Sequence, residues 1–277
     1  MSTKEAKRFR RVMKLAGPKM RKRRVSQTVK KYVRKELNKG SEINVKEKVA
    51  FGSGSGSNYE NHQYSGIPGA QSELMRIIPG IEQGDERDER DGAKIKIQSV
   101  NGTFFCHIPG AYAPTANAAK SAAAGLQCRL LILSCKQVQA VGQFEQNWAA
   151  GQNFNRQFLK NGSQPSGFNG DLFSLRWPVN TQLFTKHYDK YFTLKRGYYF
   201  GDNTEGAAMQ PEVACIKRFR IKCRNKQLQF NDPSNVEHTN WSLFGVLLYA
   251  NNDSSLTTTS PGPVYGNMYS RITWKDM

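Results

Sequence analysis

Between Lys4 and Lys39 the chain places sixteen Lys or Arg against two acids, Glu5 and Glu36, a formal charge of +14. Like charges at that density repel one another unless a polyanion neutralises them, so this stretch builds no compact core by itself. Apolar bulk is missing as well: of thirty aromatic residues only Phe9 and Tyr32 fall in the first fifty positions. Whatever folds must come from the remainder, over which the net charge of +19 falls to +5. The composition predicts a disordered or partly helical basic arm that orders on a partner, followed by a separately folded body.

The cations of the arm fall in groups. Lys7, Arg8, Arg10 and Arg11, with Lys14 close behind, form the first, and Lys19, Arg21, Lys22, Arg23 and Arg24 the second. Gly17-Pro18 breaks any helix between them. Farther on, Val25, Val29, Tyr32, Val33 and Leu37 recur at helical spacing, with Lys30, Lys31, Arg34 and Lys35 on the other face. A basic amphipathic helix suits nucleic acid, an acidic membrane or the inner wall of its own domain. The density of Arg and a pI near 9.8 favour nucleic acid. All fourteen of these cations are expected to pair with phosphates, releasing counterions without reading bases. Lys7, Arg8, Arg10, Arg11, Arg21, Lys22, Arg23 and Arg24 also make short basic runs of the kind nuclear import receptors read.

Several classes are disfavoured. The N-terminal charges have no apolar run behind them and so make no secretory signal. The longest strongly apolar stretch, Leu243 to Ala250, is too short to span a bilayer. Cys106, Cys128, Cys135, Cys215 and Cys223 form no tight pair and no metal-ligand spacing, and read as reduced, mostly buried thiols. The acidic cluster Glu82, Asp85, Glu86, Asp88, Glu89 and Asp91 is the best candidate for a metal or acid/base site. Arg87 and Arg90 stand where a calcium loop needs oxygen ligands, so the expectation is a solvated or subunit-contacting turn. His62, His107, His187 and His238 are scattered, and no Gly-rich phosphate loop, dinucleotide fingerprint or zinc-protease motif occurs. No catalytic residue, cofactor or metal ligand is expected, and the chain reads as a non-enzyme.

Gly52 to Ser57 alternates Gly and Ser, and 51–76 is read as a flexible linker between the arm (1–50) and the body (77–277). From about Ile77 short apolar runs of period two take over. Ile95 to Val100 alternates, with Asn101-Gly102 behind it as a turn signal. Leu130 to Leu133 suits a strand buried on both faces, and Leu183–Tyr188 and Tyr191–Leu194 flank a turn or bulge at Asp189-Lys190. Phe219–Cys223, Leu228–Phe230, Leu243–Tyr249 and Tyr269–Trp274 complete the set, and Ala116 to Gly125 reads as an exposed loop insertion. Many short strands without a sustained helical period predict an all-β fold, best fitted by an eight-stranded jelly-roll sandwich of two four-stranded sheets.

Gln83-Gly84, Arg90, Gly92 and Lys94-Ile95 resemble the approach to the first sheet strand in capsid proteins of small circular Rep-encoding single-stranded DNA viruses, the circovirus-like group. Arg129 to Leu133 through Lys136-Gln137 is similar to that family's second strand, and Asn180, Gln182, Phe184 and Asp189-Lys190 to the segment after it. Phe219 to Phe230 resembles the paired strands that follow, and Tyr269, Arg271-Ile272, Trp274 and Asp276 the closing strand. Asp91, Ser134-Cys135 and Gln182 depart from the usual residues. The resemblance spans nearly the whole chain. It implies a jelly roll, a sixty-copy T=1 icosahedral shell, inward-facing arms that package circular single-stranded DNA, and a nuclear stage served by host import receptors before the protein appears in the virion. It points to no particular cell-surface receptor. The residues themselves leave open a small RNA-virus capsid protein and a cellular nucleic-acid-binding protein with a basic tail.

Overall fold

A computed structural model describes residues 43–50, 62–64, 74–107, 125–150, 157–194, 214–223, 226–232, 234–251 and 264–277, together with Val29. The chain divides into two units, Met1–Glu42 and Ile43–Met277. The second unit contains β1 (Asn44–Ala50), β2 (His62–Tyr64), β3 (Met75–Arg76), β4 (Lys94–His107), β5 (Leu126–Cys135), β6 (Leu159–Asn161), β7 (Gln164–Ser166) and β8 (Phe184–Leu194). Beyond these come β9 (Cys215–Lys222), β10 (Gln227–Gln229), β11 (Leu243–Asn251) and β12 (Val264–Asp276), and the helix α1 (Val141–Ala149) lies between β5 and β6.

The fold is an all-β sandwich. One sheet runs β1-β12-β4, with β9 and β10 both on the far side of β4 and β2 following β1 along β12. The other runs β3-β11-β5-β8, while β6 and β7 form a separate hairpin. All strand pairs are antiparallel. With β9 and β10 counted as one, the principal strands stand in the order 1-8-3-6 in the first sheet and 2-7-4-5 in the second. Both sheets are thus four strands wide, although twelve strands are formed among the described residues.

Alternation decides which side chains lie between the sheets. Ile95, Ile97, Val100, Phe104 and Cys106 of β4 and Ile272 and Trp274 of β12 face Leu130 and Ile132 of β5 and Leu247 and Tyr249 of β11, each at most 2 % exposed. The intervening residues of β5 and β11 are apolar too, because the second sheet is covered on its other face. There Leu131, Leu133, Phe244, Val246 and Leu248 pack with Phe144 and Trp148 of α1 and with Phe158, Leu159 and Leu175. The Phe144 and Phe244 rings stack at 4.5 Å. Burial on both faces accounts for the unbroken Leu130–Leu133 run, as its sequence predicts.

Four expectations change. The arm and linker boundaries move, because β1, β2 and β3 lie within residues assigned to them: β1 pairs with Trp274 through Met268, and β2 pairs with the beginning of β12. Leu74 and Met75 are buried before Ile77 is reached. The charge-rich string of β1 carries no apolar alternation, yet its backbone completes a sheet edge. Asn101-Gly102 is no turn, since β4 runs straight through it. A Cβ on Gly102 would stand 2.2 Å from Phe219 Cζ and 2.6 Å from the Tyr269 carbonyl oxygen, so the glycine makes room for a ring on the next strand. The helix α1 departs from the all-strand expectation, with Val141, Phe144 and Trp148 on its one buried face. The segment at Asp189-Lys190 continues as a single strand, with the register shift two residues earlier, at His187.

Candidate nucleic-acid interface

The fourteen arm cations named above, from Lys7 to Lys35, lie outside the described residues. So does the predicted basic helix, apart from Val29, which is helical and exposed. The loop insertion at 116–124 also lies outside them. Among the described residues, the surface with matching chemistry is the outer face of the β1-β12-β4-β9 sheet.

Antiparallel register sets its side chains in rows across the strands. Lys222, Ser99 and Thr273 form one row, and Arg220, Asn101, Arg271 and Glu47 the next. Arg218, Thr103 and Tyr269 form a third, and Ile216, Phe105 and Asn267 a fourth. Rows follow one another at about 7 Å and neighbouring strands at about 4.8 Å. The four cations Arg218, Arg220, Lys222 and Arg271 are exposed, and Ile216 and Tyr269 beside them are 57 % and 39 % exposed. Lys96 opposite Lys275, and Lys94 on the β10 side, extend the positive field. Glu47 is the one acid among the described residues of these rows, 3.5 Å from Arg271. Both partners are about half exposed, so water and salt screen that pair. Between the charges, Asn101 Nδ2 donates to Ser99 Oγ at 3.1 Å, and Ser99 and Thr273 share a hydroxyl hydrogen bond of 2.8 Å.

This surface differs from the back of the other sheet, which α1 and the 158–179 segment seal with apolar side chains. It offers guanidinium and ammonium donors for phosphates, with Tyr269 and Phe105 available for bases to stack on. The sequence shows the β9 part of it, because Ile216, Arg218, Arg220 and Lys222 alternate with the inward Lys217, Phe219 and Ile221. What it withholds is that β9 joins β4 and β12 side by side.

The motif residues outside this face serve the scaffold. Arg90 is fully buried and 4.1 Å above the Phe230 ring. It donates to the carbonyls of Ile81 (3.3 Å), Gly92 (2.7 Å), Asp232 (3.2 Å) and Asn235 (3.0 Å). One guanidinium thereby clamps the acidic loop onto the loop after β10. The acids around it are engaged locally: Glu89 accepts from the Glu86 amide at 3.0 Å, and Asp88 meets Lys46 at 3.3 Å. Among the described residues no group of three His, Cys, Asp or Glu is arranged to hold a metal ion.

Arg129, on the covered side of β5, is 2 % exposed and forks onto Asp189 at 2.9 and 3.0 Å. Its remaining donors reach the carbonyls of Leu175 (2.8 Å) and Trp177 (2.6 Å), pinning that loop to the sheet. Burial opposes ionisation of Asp189, but Arg129 and then Lys186 outweigh it and hold the carboxyl below its ordinary value. Asn180 fixes the turn before β8, donating to the Gln157 carbonyl at 3.0 Å and accepting from the Gln182 amide at 3.3 Å. Burial pushes His238 down to about 4, and its Nε2–H donates to the Trp241 carbonyl at 2.7 Å. His187, lowered by burial and then by Lys226, shares a 2.9 Å hydrogen bond with Ser134.

No model of a known protein family matches the chain. No curated protein sequence matches it either.

Proposed function

We propose that this is a structural, nucleic-acid-coating protein: a strand-rich body that associates with copies of itself, joined to an arm that neutralises phosphates. Within that class it is the capsid protein of a small virus with a circular single-stranded DNA genome. The observation that carries the reading is the uncovered basic face of the first sheet, with three exposed cations along β9 and Arg271 beside them. It stands on a body whose strand order, 1-8-3-6 over 2-7-4-5, supports a jelly roll. The +14 segment adds the bulk of the charge, and sixty copies would bring roughly 800 positive charges to a packaged genome. Recognition is by charge and stacking, independent of base sequence, and no catalysis is involved. In this reading import receptors take the basic runs of the arm, assembly occurs in the host nucleus, and the protein ends in the virion.

Electron microscopy of the purified full-length protein, followed by nuclease treatment of its contents, tests the proposal. Uniform small shells whose nucleic acid resists external nuclease are expected, and the extracted cargo from infected material should be degraded by DNase. A monomer that never assembles overturns the capsid reading. Shells whose native cargo yields to RNase alone overturn the DNA assignment.

A further inference from the structure

Three thiols belong to one core cluster of the sandwich. Cys106 of β4 and Cys215, the first residue of β9, stand directly opposite each other in the antiparallel ladder. The Cys106 thiol lies 3.8 Å from the Cys215 carbonyl oxygen. Cys128 of β5 belongs to the same buried cluster and is fully buried, as is Cys106, whereas Cys215 is only partly covered. All three are free thiols. Opposed residues in an antiparallel pair have Cα atoms about 4.5 or 5.5 Å apart, depending on the type of pair, and both values lie within the range a disulfide spans. The sequence separation of these cysteines gave no sign of this pairing, which β9 creates by docking on β4.

We propose that Cys106 and Cys215 are a disulfide-forming pair that takes small-molecule disulfides, such as oxidised glutathione, as oxidant and staples the β9 edge to β4. Cys215 is the reachable member, and its thiolate attacks one sulfur of the oxidant, forming a mixed disulfide and expelling one glutathione thiolate. Cys106 then loses its proton to water and attacks the Cys215 sulfur, expelling the second glutathione. Two protein thiols are oxidised and one small disulfide is reduced to two thiols. Burial pushes the Cys106 and Cys128 thiols up, so neither serves as first nucleophile. The Lys217 ammonium, two residues along the same face and 4.9 Å above the Phe192 ring, favours thiolate at Cys106 once exchange begins. The staple would close in an oxidising milieu and stay open in a reducing one, whatever the protein encloses.

Incubation of the full-length protein with oxidised glutathione, then alkylation and non-reducing peptide mapping, decides the matter. A Cys106–Cys215 linked peptide is expected, with loss of two alkylatable thiols and a melting temperature raised by roughly 5–10 °C. Cys215→Ser should abolish the link, Cys106→Ser should accumulate the glutathione adduct at Cys215, and Cys223→Ser should leave the link intact. The proposal is overturned if all five thiols stay alkylatable, if wild-type protein halts at the adduct, or if Cys128 carries the bridge instead.

Discussion

Arg129 shows how much a single buried charge can hold in this protein. Its guanidinium is balanced by Asp189 and by two carbonyls of the 175–177 loop, so removing it strands a carboxylate and frees a segment together. Arg129→Ala is therefore expected to lower unfolding free energy by ~3–5 kcal/mol, read from urea midpoints at constant m. Acid should act on the same network. A carboxyl held below its ordinary value stabilises the fold above that value, and the contribution fades as pH falls through the lowered folded value. His238 works in the same direction. The unfolded chain takes up a proton near pH 6.5, whereas the folded imidazole resists until about 4, so stability falls as pH drops across that window. The loss attributable to His238 is about 3 kcal/mol in all. His238→Gln is expected to be less stable at neutral pH yet flatter between pH 6.5 and 4; an unchanged slope in pH-dependent melting would remove His238 from the account.

At the scale of elements, β9 joins two jobs through alternation alone. Phe219 and Ile221 point inward and contribute to the sandwich core, while Arg218, Arg220 and Lys222 point out. Replacing those three cations by Ala should leave stability within about 0.5 kcal/mol per site, because each is exposed. Binding of single-stranded DNA should weaken, and the slope of log affinity against log salt should shrink by about 2. Equal slopes for the triple variant and the wild type, measured by fluorescence anisotropy across a salt series, would take the face out of nucleic-acid binding. The helix α1 belongs to the opposite side. Trp148 is fully buried between Phe158 and Phe244, and Trp148→Ala is expected to cost ~3–5 kcal/mol without altering the salt slope.

For the whole molecule, the decisive boundary falls between Glu42 and Ile43. Deleting residues 1–42 removes most of the positive charge and none of the described strands, so the body should fold with its melting temperature nearly unchanged. Nucleic-acid content, read from the 260/280 nm absorbance ratio, should fall sharply. Residual binding through the β9 face should be weak and lost at moderate salt. Deleting residues 1–50 is a different experiment, because it strips β1 from β12 along seven paired residues. That leaves an unpaired sheet edge, and a drop of about 10 °C in melting temperature with a tendency to aggregate is expected. If both truncations melt alike, β1 contributes no stability to the body.

Local patterns in the sequence were enough to identify the all-β class, the principal strands from Ile95 onward, and the basic arm. Period-two alternation and charge density are properties of neighbouring residues, and they survive without knowledge of what lies across a sheet. The opposite faces of Tyr269 and Ile272 on β12 could be read in this way, and Ile272 and Trp274 are buried, but Tyr269, expected to be partly buried like them, is exposed. The tertiary structure alone decided which faces are covered. Ser99, Arg220 and Arg271 form one surface, and Cys106 meets Cys215, only because β9 and β12 dock on either side of β4. Tertiary packing also turned Asn101-Gly102 from a turn signal into a seat for Phe219, and made the charged β1 a sheet edge. Those outcomes depend on contacts between residues far apart in the chain, and no local spacing encodes which distant partner will bury a side chain or leave it to water.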